Sequence, residues 1–223
     1  MQDPTFVKNA FSKIADRYVV TNHVLSLGTD ILWRKKVGRI VKAWSPKDIL
    51  DVATGTGDLA LELQKACPAS KLVASDFCPE MLAHATQRGV KNTQVVDAMN
   101  MPFEDNSSDV LTVAFGLRNM ADYPAALTEM RRVIRPGGHL LVLDFSTPKG
   151  FLGRPYDFYL NNVLPKIAGL LTGEEGAYSY LAGSIGDFPS GAPMVELIEA
   201  QGYTDVKCIP LSGGIASIYT ATS

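Results

Sequence analysis

Short runs of Val, Leu, Ile and Ala recur along this chain between stretches with helical spacing, and that alternation constrains the fold more than any other feature. Five such runs are Asp48-Ile-Leu-Asp-Val-Ala53, Lys71-Leu-Val-Ala-Ser75, Thr93-Gln-Val-Val96, the segment 109–115 and His139-Leu-Leu-Val-Leu-Asp144. Nearly continuous apolar runs, lacking polar alternation, mark strands covered on both faces, hence a parallel sheet. Helices are expected over 59–66 with Asp58 as cap, from Pro79 to Gly89, and from a cap at Asp122 through Arg135 to the stop at Pro136-Gly-Gly138. From Ala10 to about Trp44 the pattern is also helical, with Trp33, Val37, Ile40, Val41 and Trp44 on one face. A last helix over 193–201 precedes strands near 203–209 and 214–220. Only Pro210-Leu-Ser-Gly213 joins these two, which makes them an antiparallel pair at a sheet edge. The expected architecture is α/β, a doubly wound, mostly parallel, Rossmann-like seven-stranded sheet with an antiparallel C-terminal edge.

The segment 146–190 departs from that regularity. It has no clean period and holds Phe151, Tyr156, Phe158, Tyr159, Tyr178, Tyr180 and Phe188. An aromatic-rich insertion of this kind reads as a cap over a ligand rather than a linker. The domain organisation is therefore an N-terminal helical entrance, 1–45, followed by an α/β domain, 46–223, that includes the cap. Lys and Arg number 21 against 23 Asp and Glu, a formal charge of −2, so no basic field recruits nucleic acid. No apolar run is long enough to span a bilayer, and the first residues lack the order of a secretory signal. Three scattered cysteines and three isolated histidines give neither a disulfide framework nor a metal-ligand spacing, which fits a cytoplasmic protein without a metal.

In such sheets the ligand crevice lies beyond the carboxyl ends of the strands, where strand order reverses. The first three strands end at Asp51, Asp76 and Asp97, which puts three acids on that rim. The first turn, Asp51-Val-Ala-Thr-Gly55-Thr-Gly57, lets backbone approach a ligand and leads into a helix N-terminus. Ala53, Thr54, Gly55, Thr56 and Gly57 are accordingly candidate contacts. Gly55-x-Gly57-x-x-Ala60 also satisfies a relaxed dinucleotide fingerprint, with Asp76 standing 19 residues after Gly57. Asp51 separates the two readings. An anion there repels a pyrophosphate by about 4 kcal/mol at 4 Å and an effective dielectric near 20. S-adenosylmethionine (SAM) carries an ammonium and a sulfonium instead, and is attracted. Asp76 then takes the ribose hydroxyls, while Asp97, Ala98 and Met99 border the adenine. Phe77 and Met81, just past Asp76, are further candidates, although side chains of their kind commonly belong to a core. A lone strand-end Asp is usually a turn former; three in succession beside a glycine turn point to a site.

These residues resemble the ubiquinone/menaquinone-biosynthesis C-methyltransferases, demethylmenaquinone methyltransferase-like enzymes of the class I SAM-dependent methyltransferases. The resemblance rests on Ile49-Leu-Asp-Val-Ala-Thr-Gly-Thr-Gly-Asp58, Met101-Pro-Phe103, Phe115-Gly-Leu-Arg-Asn119, Arg132-Val-Ile-Arg-Pro-Gly-Gly138 and Leu143-Asp-Phe-Ser146. Tyr156-Asp-Phe-Tyr159, Val163-Leu-Pro165, Tyr180-Leu-Ala182 and Ser184-Ile185 match the family's cap. The chain departs from it at Val19, Thr21 and Asp30, where the N-terminal signature has Asp, Met and His, and at Asp144, where Glu is usual. The resemblance implies that Tyr18, Thr56, Asp76, Asp97, Ala98 and the position of Ala114 contact SAM, and that Arg118 and Asn119 face the substrate.

It also implies carbon methylation of a lipophilic prenylated quinol in respiratory quinone biosynthesis. A deprotonated phenol makes the neighbouring ring carbon nucleophilic. Arg118 is suited to stabilise that phenolate, Asn119 to orient the oxygen and Asp144 to accept a proton. The plain alternatives are a structural salt bridge for Arg118 and a loop cap for Asp144. Trp33, Val37, Ile40 and Val41 beside Arg34, Lys35, Lys36, Arg39 and Lys42 suit peripheral membrane contact, or equally an ordinary amphipathic helix. Rival readings are another phenolic or lipid acceptor, a non-catalytic cofactor-binding module and a dinucleotide oxidoreductase. Naphthoquinol and benzoquinol acceptors are not separated, and a homo-oligomer stays open.

Overall fold

The computed structural model describes Ser26, residues 28–148, 153–159, Asn162 and 188–223. The elements in chain order are α1 (Thr29–Trp44), β1 (Asp48–Val52), α2 (Asp58–Ala66), β2 (Lys71–Asp76), α3 (Pro79–Gln87), β3 (Thr93–Val95) and β4 (Ser108–Ala114). A 3-10 turn (Leu117–Asn119), α4 (Tyr123–Val133), β5 (Ile134–Phe145), α5 (Gly153–Phe158), α6 (Ala192–Ala200), β6 (Thr204–Leu211), a second 3-10 turn (Ser212–Gly214) and β7 (Ala216–Thr222) follow. The seven strands form one sheet in the order β3-β2-β1-β4-β5-β7-β6. β1 to β5 run parallel, and β7 is the reversed strand, pairing antiparallel with both β5 and β6. Order reverses between β1 and β4, the place where an open sheet of this kind holds its ligand.

Strand periodicity explains the apolar runs. Leu50, Val52, Leu111, Val113, Leu140 and Val142 point to one face, where they pack with Leu127 and Met130 of α4 and Met194 and Ile198 of α6. Ile49, Val110, Leu141 and Leu143 point to the other, against Trp33, Val37 and Val41 of α1 and Leu59 and Leu63 of α2. A strand with both faces buried has no position for a polar alternation.

Several boundaries differ from expectation. α4 caps on Asp122, whose Oδ1 accepts from the Ala125 N–H at 2.9 Å, but it ends at Val133. Arg135 instead belongs to β5, where its guanidinium ties the β1 and β4 starts together through Asp48 (2.9 Å) and Asp109 (2.5 Å). The cap of α2 is not Asp58 but Gly57, in the left-handed region at φ 84. Asp58 is free for ion pairing, with Arg88 at 2.6 Å. The described helix before β1 starts at Thr29 rather than Ala10. Trp33, Val37 and Val41 are committed to the core, so they are not an apolar face for a membrane; Ile40 and Trp44 are half-buried. Phe188, read as a cap aromatic, is a core residue that meets Tyr123 edge-on at 5.4 Å. Tyr18, the entrance before Ser26 and most of the expected cap, including Phe151, Tyr178 and Tyr180, lie outside the described residues. Among the described residues no helix is long and apolar enough to cross a membrane.

Candidate active site

Parallel register builds the site. Asp51 lies level with Thr112 across the β1–β4 pair, and the Thr112 hydroxyl donates to its Oδ1 at 2.6 Å. The Thr54 hydroxyl donates to Oδ2, also at 2.6 Å. The carboxyl is 1% exposed, and burial pushes its pKa up to about 6 against the pull of these two donors. Asp76, the last residue of β2, accepts from the Gly55 N–H at 2.7 Å and the Cys78 N–H at 2.9 Å. Burial raises its pKa too. Asp97 lies two residues past β3 and accepts from the Met99 N–H at 2.9 Å.

A cavity opens between these three acids. Asp51, Ala53, Thr54, Gly55, Thr56, Asp76, Phe77, Met81, Asp97, Ala98, Met99, Ala114 and Asn119 line it, all of them expected from the sequence. Met81 does so while buried in the core, whereas Phe77 is 45% exposed. Gly57, also expected there, does not line the cavity. A Cβ on it would meet Val90 Cγ2 at 2.6 Å, so its role is close packing at the start of α2.

Arg118 and Asp144, expected to act on the substrate, stand apart from this cavity. Neither lines the cavity. They form one ion pair, Nη1 to Oδ1 at 2.6 Å, with side chains 3% and 0% exposed. Nη1 also donates to the Phe115 carbonyl at 2.7 Å. Arg118 Nε and Asp144 Oδ2 are buried without a hydrogen-bond partner among the described residues. Burial raises the Asp144 pKa, opposed chiefly by the Arg118 charge. The salt-bridge alternative is thus what the geometry displays, and it fixes the turn that carries Phe115 and Asn119. Asn119 Nδ2 donates to the same Phe115 carbonyl at 3.3 Å.

Other lining residues were not legible as such. Phe115 has φ 58 and Ala53 φ 53, both unusual for non-glycine residues, at the ends of the two strands that flank the order reversal. Gly116 permits this approach, since a Cβ on it would sit 2.4 Å from that of Ala53. Arg34 and Asp58 also line the cavity. Asp30, a departure from the family signature, is buried under Arg34 and pairs with its guanidinium, while accepting from the Ser26 hydroxyl at 2.6 Å. No local signal marked Arg34: it follows Trp33 on α1, and the packing of that helix against the sheet brings it to the cavity edge.

The donor set fits SAM. Three carboxylates suit a cationic ligand bearing hydroxyl and amino donors. The Thr56 hydroxyl is buried, lines the cavity and has no hydrogen-bond partner among the described residues. Among the described residues no cluster of His, Cys, Asp and Glu could hold a metal ion.

The order of the sheet and the acids at its switch point define a SAM-dependent methyltransferase of the Rossmann-like class. A solved SAM-dependent methyltransferase of Thermotoga maritima shares the fold at a TM-score of 0.70, with 20% identity, over 96% of this chain and 98% of that one. The CurJ carbon methyltransferase does so at 0.59 with 14% identity, over 78% of this chain and 48% of that one. A sequence model of the ubiE/COQ5 methyltransferase family matches residues 1–223, and the chain belongs to that family. It is 42% identical to the ubiquinone/menaquinone biosynthesis C-methyltransferase UbiE of Bdellovibrio bacteriovorus, over 99% of this chain and 97% of the relative. To the demethylmenaquinone methyltransferase of Thermus thermophilus it is 43% identical, over 94% and 97%. The protein is therefore an enzyme, and its cofactor is SAM.

Proposed function

We propose that this enzyme methylates a ring carbon of a prenylated quinol, the reaction its relatives are named for. The observation that carries the acceptor is the turn after β4. Ala114, Phe115, Gly116, Asn119, Met120 and Ala121 give the SAM cavity an apolar wall bearing one side-chain amide, the chemistry that suits an aromatic ring with a hydroxyl. Bound SAM supplies an electrophilic methyl group on a positively charged sulfur. Asp51 offers its carboxylate to the ammonium, Asp76 to the ribose and Asp97 to the adenine amino group, which fixes the donor relative to that wall. Ala53, Thr54, Gly55, Thr56, Phe77, Met81, Ala98, Met99 and Ala114 complete the donor's side. Asn119 orients the acceptor oxygen. Arg118 and Asp144 act as positioning residues, because their pair holds Asn119 and Phe115 without reaching the cavity.

Tyr18 and the segments 1–45 and 146–190 are proposed to complete and cover the site. A prenylated acceptor resides in a bilayer, so the enzyme works at a membrane surface on the cytoplasmic side. Ile31 and Leu32 at the start of α1 are 42% and 63% exposed, beside exposed Lys35, Arg39 and Lys42, which supports contact there through residues other than the buried Trp33 face. Incubation with SAM and a demethylated prenyl-naphthoquinol, with a benzoquinol in parallel, tests the reading by product mass and proton and carbon resonance. A new ring-carbon methyl is expected; a methoxy product, or none with either quinol, overturns it.

A further inference from the structure

Arg34 is the one cation among the described residues that lines the cavity, against the acids Asp51, Asp58, Asp76 and Asp97. That imbalance suits the sulfonium and ammonium of SAM but not its carboxylate, which four acids would repel unless a positive group met it. We propose that Arg34 binds that carboxylate, and that Asp30 is the residue that positions Arg34 for it. Nη1 of Arg34 is engaged by Asp30 one helical turn earlier on α1. Nη2 makes a loose ion pair with Asp58 Oδ2 at 3.7 Å, beyond hydrogen-bond distance, while Arg88 binds the other oxygen, Oδ1, at 2.6 Å. The guanidinium centre lies 5.4 Å from the Phe115 ring centroid, so an aromatic face supports the group while its remaining N–H donors make no hydrogen bond among the described residues. The side chain is 10% exposed, a setting in which a charge-assisted hydrogen bond is stronger than in water.

A second observation converges on the same end of the cavity. Thr56 is 2% exposed and its hydroxyl has no hydrogen-bond partner among the described residues. It sits just ahead of the nine-residue α2, whose first turn has no side-chain cap. An unsatisfied buried hydroxyl, uncapped helix N–H groups and a guanidinium with spare donors together make a place for a carboxylate. The ammonium of the same amino-acid moiety is left to Asp51, so the two charges of the zwitterion are read by two different elements, β1 and α1.

Decarboxylated SAM keeps the sulfonium, ammonium, ribose and adenine but lacks the carboxylate, and it provides the test. Isothermal titration of the full chain with each ligand is expected to show SAM binding about 10- to 100-fold tighter than the decarboxylated form, the range for one charge-assisted hydrogen bond. Arg34→Gln is expected to lose that preference by weakening SAM alone, and Arg34→Lys to recover part of it. Asp30→Asn, which keeps the cation but loosens it, is expected to narrow the ratio with the decarboxylated ligand unchanged. Equal affinity of the unmodified enzyme for both ligands overturns the proposal without recourse to any variant. So does a loss in Arg34→Gln that falls equally on both ligands.

Discussion

Asp51 shows how one residue sets the conditions under which the site works. Its carboxyl is buried, and burial holds its pKa up to about 6 rather than the 3.8 of an exposed Asp. In the unliganded protein the folded state therefore holds this proton more tightly than the unfolded chain does. The resulting stability is complete below about pH 4 and is lost as pH rises through about 6. A cationic ligand reverses the preference, because it binds the ionised carboxylate. SAM affinity is expected to be flat above pH 6 and to fall by up to about tenfold per pH unit below it, as binding must expel a proton. Titrations between pH 5 and 7.5 measure this directly. Asp51→Asn, which leaves the Thr54 and Thr112 hydroxyls a partner of the same shape, is expected to bind more weakly and with a shallower slope. An unchanged slope in that variant assigns the proton elsewhere.

At the scale of elements, the Arg118–Asp144 pair joins the turn after β4 to the end of β5, and its burial gives the two partners unequal tolerance to change. Arg118→Met leaves Asp144 without a counter-charge at 0% exposure, which costs about 3–5 kcal/mol and lowers Tm on the order of 10 °C. The double replacement Arg118→Met/Asp144→Leu removes both charges and is expected to regain most of that loss in thermal unfolding. A double variant as unstable as the single one would mean the pair is held by something other than its charges. This pair also marks where sequence reading stops. The strands were legible because burial on both faces forces uninterrupted Val, Leu and Ile, and the three acids because they close successive strands. Whether Arg118 meets an acid or a substrate depends on the register of β4 against β5, a non-local fact carried by no local spacing. The same holds for Arg34: helical spacing puts Trp33 on the core face of α1, but only the packing of α1 against the sheet brings its neighbour to the cavity. Gly57 matched a ligand-binding pattern for a different reason, since Val90 and Ala85 leave no room for a side chain there.

The described residues form one sheet with a packed core on each side, and the site touches both. Leu50 and Val52 of β1 belong to the core under α4 and α6, while Ile49 of the same strand and Phe115 after β4 belong to the one under α1 and α2. Asp51 and its turn lie between them, at the only parallel neighbours among the described strands whose outward connections run in opposite directions. A ligand held there by β1, β2 and the β4 turn is tied to both cores at once, and its binding free energy therefore opposes global unfolding rather than the opening of one loop. At a SAM concentration a hundredfold above Kd that linkage amounts to about 2.7 kcal/mol, which for a chain of this size raises Tm by roughly 5–10 °C. A thermal scan with and without SAM should show one cooperative transition moving as a unit. Were only a fraction of the transition to shift, the two sides of the sheet would be unfolding separately, and the site would be anchored to one of them alone.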